Sequence, residues 1–205
     1  MKIGPKYKIA RRLGVAVFEK TQTQKFVLSE SRKSKPRQKG RRSRSRTNFA
    51  VQMLEKQKAR YTYLITEKQF SSYVKKAIGK KGTDSAQNLY QRLELRLDNA
   101  VFRIGLVPTR SFARQIVSHG HIYVNGRRVT IPSFALSAGD VISIRPSSAD
   151  KGIFVGLEER LQGVTLPNWL AVGASKREWK VSGLPTISVG ELMFDINAVL
   201  EFYSR

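Results

Sequence analysis

From Arg32 to Arg46 the chain places nine Lys or Arg in fifteen residues, with no acid among them and with Ser, Pro and Gly interleaved. Such a stretch holds too little apolar surface to offset the entropy of ordering its backbone. It is expected to be disordered alone and to order only along a line of negative charge. A solvated tail or a nuclear-localisation tract would share the composition. The bias extends beyond it. Residues 1–60 carry 19 basic and 3 acidic side chains, residues 61–93 carry 6 and 2, residues 94–146 carry 7 and 3, and residues 147–205 carry 6 and 7. The formal net charge of the 205 residues is +23, a self-repulsion that a polyanion relieves. Nucleic acid is the leading candidate, because phosphates release counterions when Lys and Arg replace them. An anionic membrane surface is the alternative.

Several classes are excluded at once. The chain has no cysteine, which removes disulfides, Cys-ligated zinc, iron–sulfur clusters and cysteine nucleophiles. No run approaches 18 apolar residues, so no membrane-spanning helix is expected. Met1 to Arg12 is basic but no apolar stretch follows, which argues against a secretory leader and for a cytosol-like compartment. Apolar residues make up 40%, below the globular average but enough for a modest core.

After the basic tract the pattern turns helical. Residues 48–60 set Ala50, Met53, Leu54 and Tyr61 at helical spacing, with Lys56, Lys58 and Arg60 on other faces. Thr66-Glu67-Lys68-Gln69 reads as a capping box, in which the Thr oxygen takes an orphan amide and Gln69 reaches back. Phe70, Tyr73, Val74, Ala77 and Ile78 form the stripe that follows, closed by Gly79 and Gly82. Asp84 with Gln87 resembles a second box. Leu89, Leu93, Leu97, Ala100, Val101 and Ile104 continue one apolar face to Gly105.

Thr109 is the expected N-cap of a further helix whose Phe112, Ala113, Ile116 and Val117 face inward. Arg110 and Arg114 lie four apart and project from one side. Past Gly120 the period changes to two over His121 to Val124, and Asn125-Gly126 suits a type I′ hairpin. Val141 to Arg145 reads as another strand after the turn at Ala138-Gly139-Asp140. Two short helices against a twisted hairpin would present Arg110, Arg114, His119, His121, Arg127 and Arg128 on a small concave basic surface. Guanidinium forks suit phosphate and stack on unpaired bases. Plain solvation of these side chains is the competing reading.

The run Arg96-Leu97-Asp98-Asn99, Arg103-Ile104-Gly105, Thr109 through Val129 and Gly139-Asp140-Val141-Ile142 resembles the S-four (S4) RNA-binding domain. That module also occurs in pseudouridine synthases, tyrosyl-tRNA synthetases and a heat-shock ribosome-binding protein. The flanks narrow the match. Gly4-Pro5-Lys6, Arg11-Arg12-Leu13-Gly14, Leu54 to Arg60 and Glu67 to Phe70 resemble the N-terminal region of the small-subunit ribosomal protein S-four family. Phe194 to Asn197 and Val199 to Arg205 resemble its C-terminus. The similarity is bacterial or organellar in type and weakest over 146–190. Many members carry four zinc-binding cysteines near the N-terminus; this chain has none, so no metal and no cofactor are expected.

The resemblance implies an α+β fold, with a mainly helical N-terminal region and a module of short helices on a small twisted antiparallel sheet. The expected division is a basic arm over 1–47, a helical region over 48–93 that packs with a C-terminal segment over 147–205, and the RNA-binding domain over 94–146. It implies a structural component of the small ribosomal subunit that binds rRNA early, nucleates the subunit body and, with ribosomal proteins S-five and S-twelve, affects accuracy. Expected partners are small-subunit rRNA, neighbouring proteins including S-five, and mRNA near its entry path, with no membrane and no small-molecule substrate. The compartment implied is a bacterial cytoplasmic ribosome or an organellar one. Charge pattern and resemblance together nominate Lys6, Arg11, Arg12, Arg41, Arg42, Arg44, Arg46, Lys56, Lys58 and Arg60 as rRNA-binding. Within the module they nominate Arg103, Arg110, Arg114, Gln115, Ser118, His119, His121, Arg127 and Arg128.

The rival class is an RNA-modifying enzyme or a ribosome-associated factor carrying the same module. About 60 residues follow the module, fewer than an independent catalytic domain takes. Glu158 and Glu159 are adjacent on a helix and diverge, so they read as a solvated face. His119 and His121 lack a nearby acidic cluster, and no P-loop, dinucleotide fingerprint or nucleophile elbow occurs. No catalysis is expected. Trp169, Trp179 and Phe194 lie in the near-neutral last segment and are expected in the core or at a docking surface.

Overall fold

The structure, a computed structural model, describes residues 3–33, 47–80, 82–149, 152–175, 177–188, 190 and 192–204. Contacts divide the chain into two units, residues 1–86 with 188–205, and residues 87–187.

The first unit is helical among its described residues. α1 (Lys6–Leu13) stops at Gly14, whose φ of +71° turns the chain left-handed and returns its N–H to the Ala10 carbonyl. α2 (Gln24–Lys33) follows. α3 (Asn48–Thr62) starts at Thr47, whose hydroxyl accepts the Ala50 N–H. α4 (Glu67–Ile78) starts at Thr66, whose hydroxyl accepts the Gln69 N–H. The expected box is only half formed there, because Gln69 Nε2 donates to the Tyr73 hydroxyl at 3.2 Å instead of reaching back. The α4 stripe buries Phe70, Val74 and Ala77 but leaves Ile78 exposed at the helix end.

The C-terminal helix of this unit decides which face of α3 is buried. It runs over Ile196–Tyr203, and Asp195 caps it by accepting the Asn197 and Ala198 N–H groups. It lies against α3 and α4, with Phe202 beside Phe49 and Tyr203 edge-on to Phe70. Leu54 and Tyr61 pack on Leu13, Val17, Phe18 and Leu64, as their helical spacing suggests. The buried side of α3 is different: it holds Gln52, Lys56 and Ala59. Polar residues are tolerated there because the neighbouring helix offers Glu201, which accepts from Gln52 Nε2 at 2.8 Å, and the ring of Phe202.

Glu67 gathers three donors at this junction. Lys56 Nζ reaches Oε1 at 3.0 Å, Arg60 Nη1 reaches Oε2 at 2.9 Å, and the Tyr203 phenol donates to Oε1. Burial by itself raises the Glu67 pKa, but the hydrogen bonds from Tyr203, Arg60 and Lys56 more than offset it and hold the carboxyl below its ordinary value of 4.5. Burial and the bond to Glu67 push the Tyr203 phenol well above its usual range.

The second unit holds α5 (Ser85–Glu94, which starts just before the boundary), α6 (Leu97–Arg103), α7 (Arg110–Ser118), α8 (Leu157–Gln162) and a five-stranded sheet. The continuous apolar face expected from Leu89 to Ile104 is buried throughout. Its helix, however, breaks at Leu95 and Arg96. Residues 132–136 take the backbone bonds there: Leu97 N–H goes to the Phe134 carbonyl, Asp98 N–H to Pro132, and Leu136 N–H to Leu95. Asp84 caps α5 through the Ala86 N–H, but Gln87 is drawn to Pro185 and Ile187 rather than to the cap.

The sheet order is β2-β1-β3-β5-β4, antiparallel throughout. β1 (Ile122–Val124) and β2 (Arg127–Arg128) join through Asn125 and Gly126 at φ +51° and +74°, the left-handed pair the hairpin needs. β3 (Val141–Ile144) follows, and β4 (Leu170–Val172) and β5 (Glu178–Val181) extend the sheet on its far edge. The grouping differs from that expected for 147–205. Residues up to 187 fall in this unit, because Trp169, Leu170, Trp179 and Val181 complete the core around Ile116, Ile122 and Ile142. Only 188–205 returns to the helical unit, where Phe194 is buried against Tyr63. The two tryptophans and Phe194 are core residues.

Tyr203→Phe removes one donor from Glu67. It is expected to lower the unfolding free energy in urea by about 1 kcal/mol, below the usual range for a hydrogen bond to a charge because Glu67 stays partly open to solvent. The Glu67 contribution is present above pH 4.5 and fades as pH falls through the lowered folded-state pKa. Glu67→Gln should therefore flatten the acid limb of stability against pH.

Candidate nucleic-acid interface

α6 and α7 meet through charge at their outer edge. Thr109 caps α7 by accepting the Phe112 N–H at 3.1 Å, and with Phe112 in the third position no side chain returns to complete a box. Arg110, Arg114 and Ser118 then repeat every four residues along α7 while Ala113, Ile116 and Val117 go inward. Arg114 reaches Asp98 at the start of α6, with Nη2 at 2.7 Å and Nε at 3.0 Å from Oδ2. Arg96 holds the same carboxylate bidentately, Nε to Oδ1 at 2.9 Å and Nη2 to Oδ2 at 2.7 Å.

A second network runs beside the first. Arg110 Nε donates to Asn99 Oδ1 at 2.9 Å, and its guanidinium stacks 4.3 Å from the Phe102 ring centre. Asn99 Nδ2 donates to the Glu94 carbonyl and to Glu94 Oε2, both at 3.0 Å. Arg103 closes the chain with a two-pronged pairing to Glu94 at 3.0 and 3.1 Å. The Glu94 side chain is 0% exposed. A buried carboxylate is tolerable only when its lone pairs are matched this fully. Arg103 and Arg114 nevertheless keep 24% and 28% of their side chains open to water. The arrangement can hold forked cations still at a surface.

The far end of α7 meets the hairpin. Arg128 Nη2 donates to the His119 carbonyl at 3.3 Å, and the Arg128 guanidinium lies over Gly120, whose φ of +73° ends the helix. Gln115, Ser118, His119, Arg127 and Arg128 are exposed. His121 is not on this rim as expected. It is buried, with Nδ1 2.9 Å from Ser148 Oγ and its ring edge-on to Phe154, because it leads into β1 where the chain turns inward.

In the helical unit the nominated cations fare differently. Arg11 is exposed but bonded to Ser29 and set over Phe26, Arg12 is exposed, and Lys6 sits over the Phe18 ring. Lys56, Lys58 and Arg60 are all held in ion pairs. Lys56 is 10% exposed, paired with Glu67 and set over Phe202; Lys58 pairs with Glu55 at 2.6 Å; Arg60 pairs with Glu67. Glu67 thereby ties Lys56 and Arg60 of α3 to α4, whereas the Lys58–Glu55 pair lies within α3. Arg41, Arg42, Arg44 and Arg46, with most of the basic tract, lie outside the described residues.

Four exposed cations that the sequence reading did not nominate are on α4 and just past it. Lys68, Lys75, Lys76 and Lys80 are exposed, and among the described residues none of them forms an ion pair. Their signal was in the apolar stripe itself: once Phe70, Val74 and Ala77 face inward, these lysines must face out. Among the described residues no three His, Asp or Glu side chains gather as a metal site would require.

Two family models match the chain. One, described as the ribosomal protein S4/S9 N-terminal domain, covers residues 1–94, and one described as the S4 domain covers residues 95–142. Relatives match over nearly their whole length. A small ribosomal subunit protein uS4 from Shewanella loihica is 42% identical, covering 99% of this chain and 98% of the relative. One from Halothermothrix orenii is 40% identical, covering 98% of both. One from Chlorobium phaeovibrioides is 38% identical, covering 97% of this chain and 96% of the relative.

A Cβ at position 120 would run into the Arg128 guanidinium and would sit on left-handed backbone. Gly120→Ala is expected to cost about 1–3 kcal/mol in urea unfolding, with Arg128 displaced from the His119 carbonyl.

Proposed function

This chain belongs to the S4 family of ribosomal proteins, and from that premise we propose that it is a structural component of the small ribosomal subunit that grips rRNA and catalyses no reaction. The observation that carries the reading is the α6–α7 edge. Three arginines stand at a surface on short, well-packed helices, each tied to a buried acid or amide. A-form RNA hides most base identity in its deep groove, so such a face reads phosphate and 2′-hydroxyl positions. Fixed forks then turn shape into specificity, because only an RNA whose phosphates match their spacing engages all of them.

The remaining surface supports the same reading. Gln115, Ser118, His119, Arg127 and Arg128 add polar and cationic groups on the same unit. In the helical unit, Lys6, Arg11 and Arg12 on α1 and the lysines of α4 supply charge to neighbouring RNA helices. The tract that includes Arg41, Arg42, Arg44 and Arg46 adds nine more cations, neutralised along phosphates. A protein that holds several helices of a junction lowers the entropy cost of later assembly steps, which makes it a nucleator of the subunit body. The family resemblance adds the 5′ domain of the rRNA, at a multi-helix junction, as the primary target. Contact with S-five, an influence on accuracy shared with S-twelve, and proximity to the mRNA entry path follow as parts of the same proposal. The ribosome concerned is that of a bacterial cytoplasm, the type of the similar proteins, or of an organelle derived from one.

The test is binding of the full chain to a transcript of the small-subunit 5′ domain across a salt series. Arg110→Ala with Arg114→Ala should weaken binding and lower the slope of log affinity against log salt by about 2, one for each phosphate no longer neutralised. Replacing Lys68, Lys75 and Lys76 together should lower the slope by about 3 on the same rule. An unchanged affinity and slope in both variants would remove these faces from the interface.

A further inference from the structure

Building on the reading of the α6–α7 edge as an RNA-binding face, we propose that Asp98 is a positioning residue, whose buried carboxylate sets Arg114 in its binding geometry before RNA arrives. The starting point is a conflict. A carboxylate beneath a phosphate-binding surface repels the ligand, and its desolvation burdens the fold. Asp98 is only 4% exposed, so it gains nothing from water.

Neutralising Arg96 explains only half of the geometry. Arg96 already pairs with both oxygens of the carboxylate. Arg114 comes from the next helix, sixteen residues on, and places two further N–H groups on Oδ2. That attachment does not complete the burial of Asp98. What it does is hold a long, flexible side chain to one orientation while more than a quarter of it stays at the surface. An arginine that is loose in the free protein must lose its rotamer freedom on binding, and a tethered one has lost it during folding. The tether also aims a planar fork, which a lysine at this position could not present.

The measurement uses the full chain and the 5′-domain transcript at fixed salt, with Arg114→Ala, Arg114→Lys, Asp98→Asn and the Asp98→Asn/Arg114→Ala double variant. Arg114→Ala should bind about tenfold more weakly, and Arg114→Lys nearly as weakly although its charge is kept. Asp98→Asn should bind about three- to tenfold more weakly even though the net charge rises by one, a loss in the range for one unfixed side chain. In the Arg114→Ala background Asp98→Asn should cause no further loss, leaving binding equal or slightly tighter as the carboxylate's repulsion is relieved. Tighter or equal binding by Asp98→Asn, or an equal loss in the Arg114→Ala background, would overturn the role of Asp98 alone. Unaltered binding by Arg114→Ala would overturn the reading of the face as well. Should Asp98→Asn fail to fold, Arg114→Lys decides, since it leaves the Arg96–Asp98 pair intact: binding like the unaltered chain would sink the proposal.

Discussion

A carboxylate removed from water must be matched by donors, or the fold around it is destabilised by several kcal/mol. Asp98 and Glu94 impose that condition on α6 and its surroundings. Asp98 is met by Arg96 and Arg114, and Glu94 by Asn99 and Arg103. Because the donors come from α6, α7 and the link before α6, satisfying two acids also locks three segments together. The arginines at the surface are thus anchored to buried groups, and their positions inherit the rigidity of the core beneath.

The helical unit solves a related problem with the same materials. Glu67 draws Lys56, Arg60 and Tyr203 to one point, and so ties α3, α4 and the last helix together. In a chain with 15 acidic and 38 basic side chains, acids are scarce. Glu67 and Asp98 each bind two cations. Lys56, Lys58 and Arg60 are drawn into the fold by acids, Arg103 and Arg114 are held by acids yet keep about a quarter of their side chains at the surface, and Lys68, Lys75 and Lys76 are exposed with no ion pair among the described residues.

This pattern separates the nominated cations in a way that the sequence did not show. Lys56, Lys58 and Arg60 read only as lying off the apolar face of α3, because local spacing cannot register Glu67, which arrives from another helix to take Lys56 and Arg60. His121 was misassigned for a similar reason. Alternation marks the strand but does not say which neighbour, here Ser148 and Phe154, covers a given ring.

Much of the architecture was nonetheless legible from short-range signals. Thr47, Thr66, Thr109 and Asp195 all cap helices through their own side-chain oxygens, although only Thr66 and Thr109 were read as caps in advance. Asn125-Gly126 makes its hairpin because few other pairs accept that backbone, and the apolar residues from Leu89 to Ile104 are buried as their period demands. The sequence by itself determined the α+β character, these local geometries and the need for a polyanionic partner, since each depends on neighbours a few residues apart or on total charge. Only the tertiary structure decided that β4 and β5 join the hairpin's sheet, that the helix breaks at Arg96, and which cations are occupied. Those outcomes depend on encounters such as Glu67 with Tyr203, 136 residues apart, which no local pattern encodes.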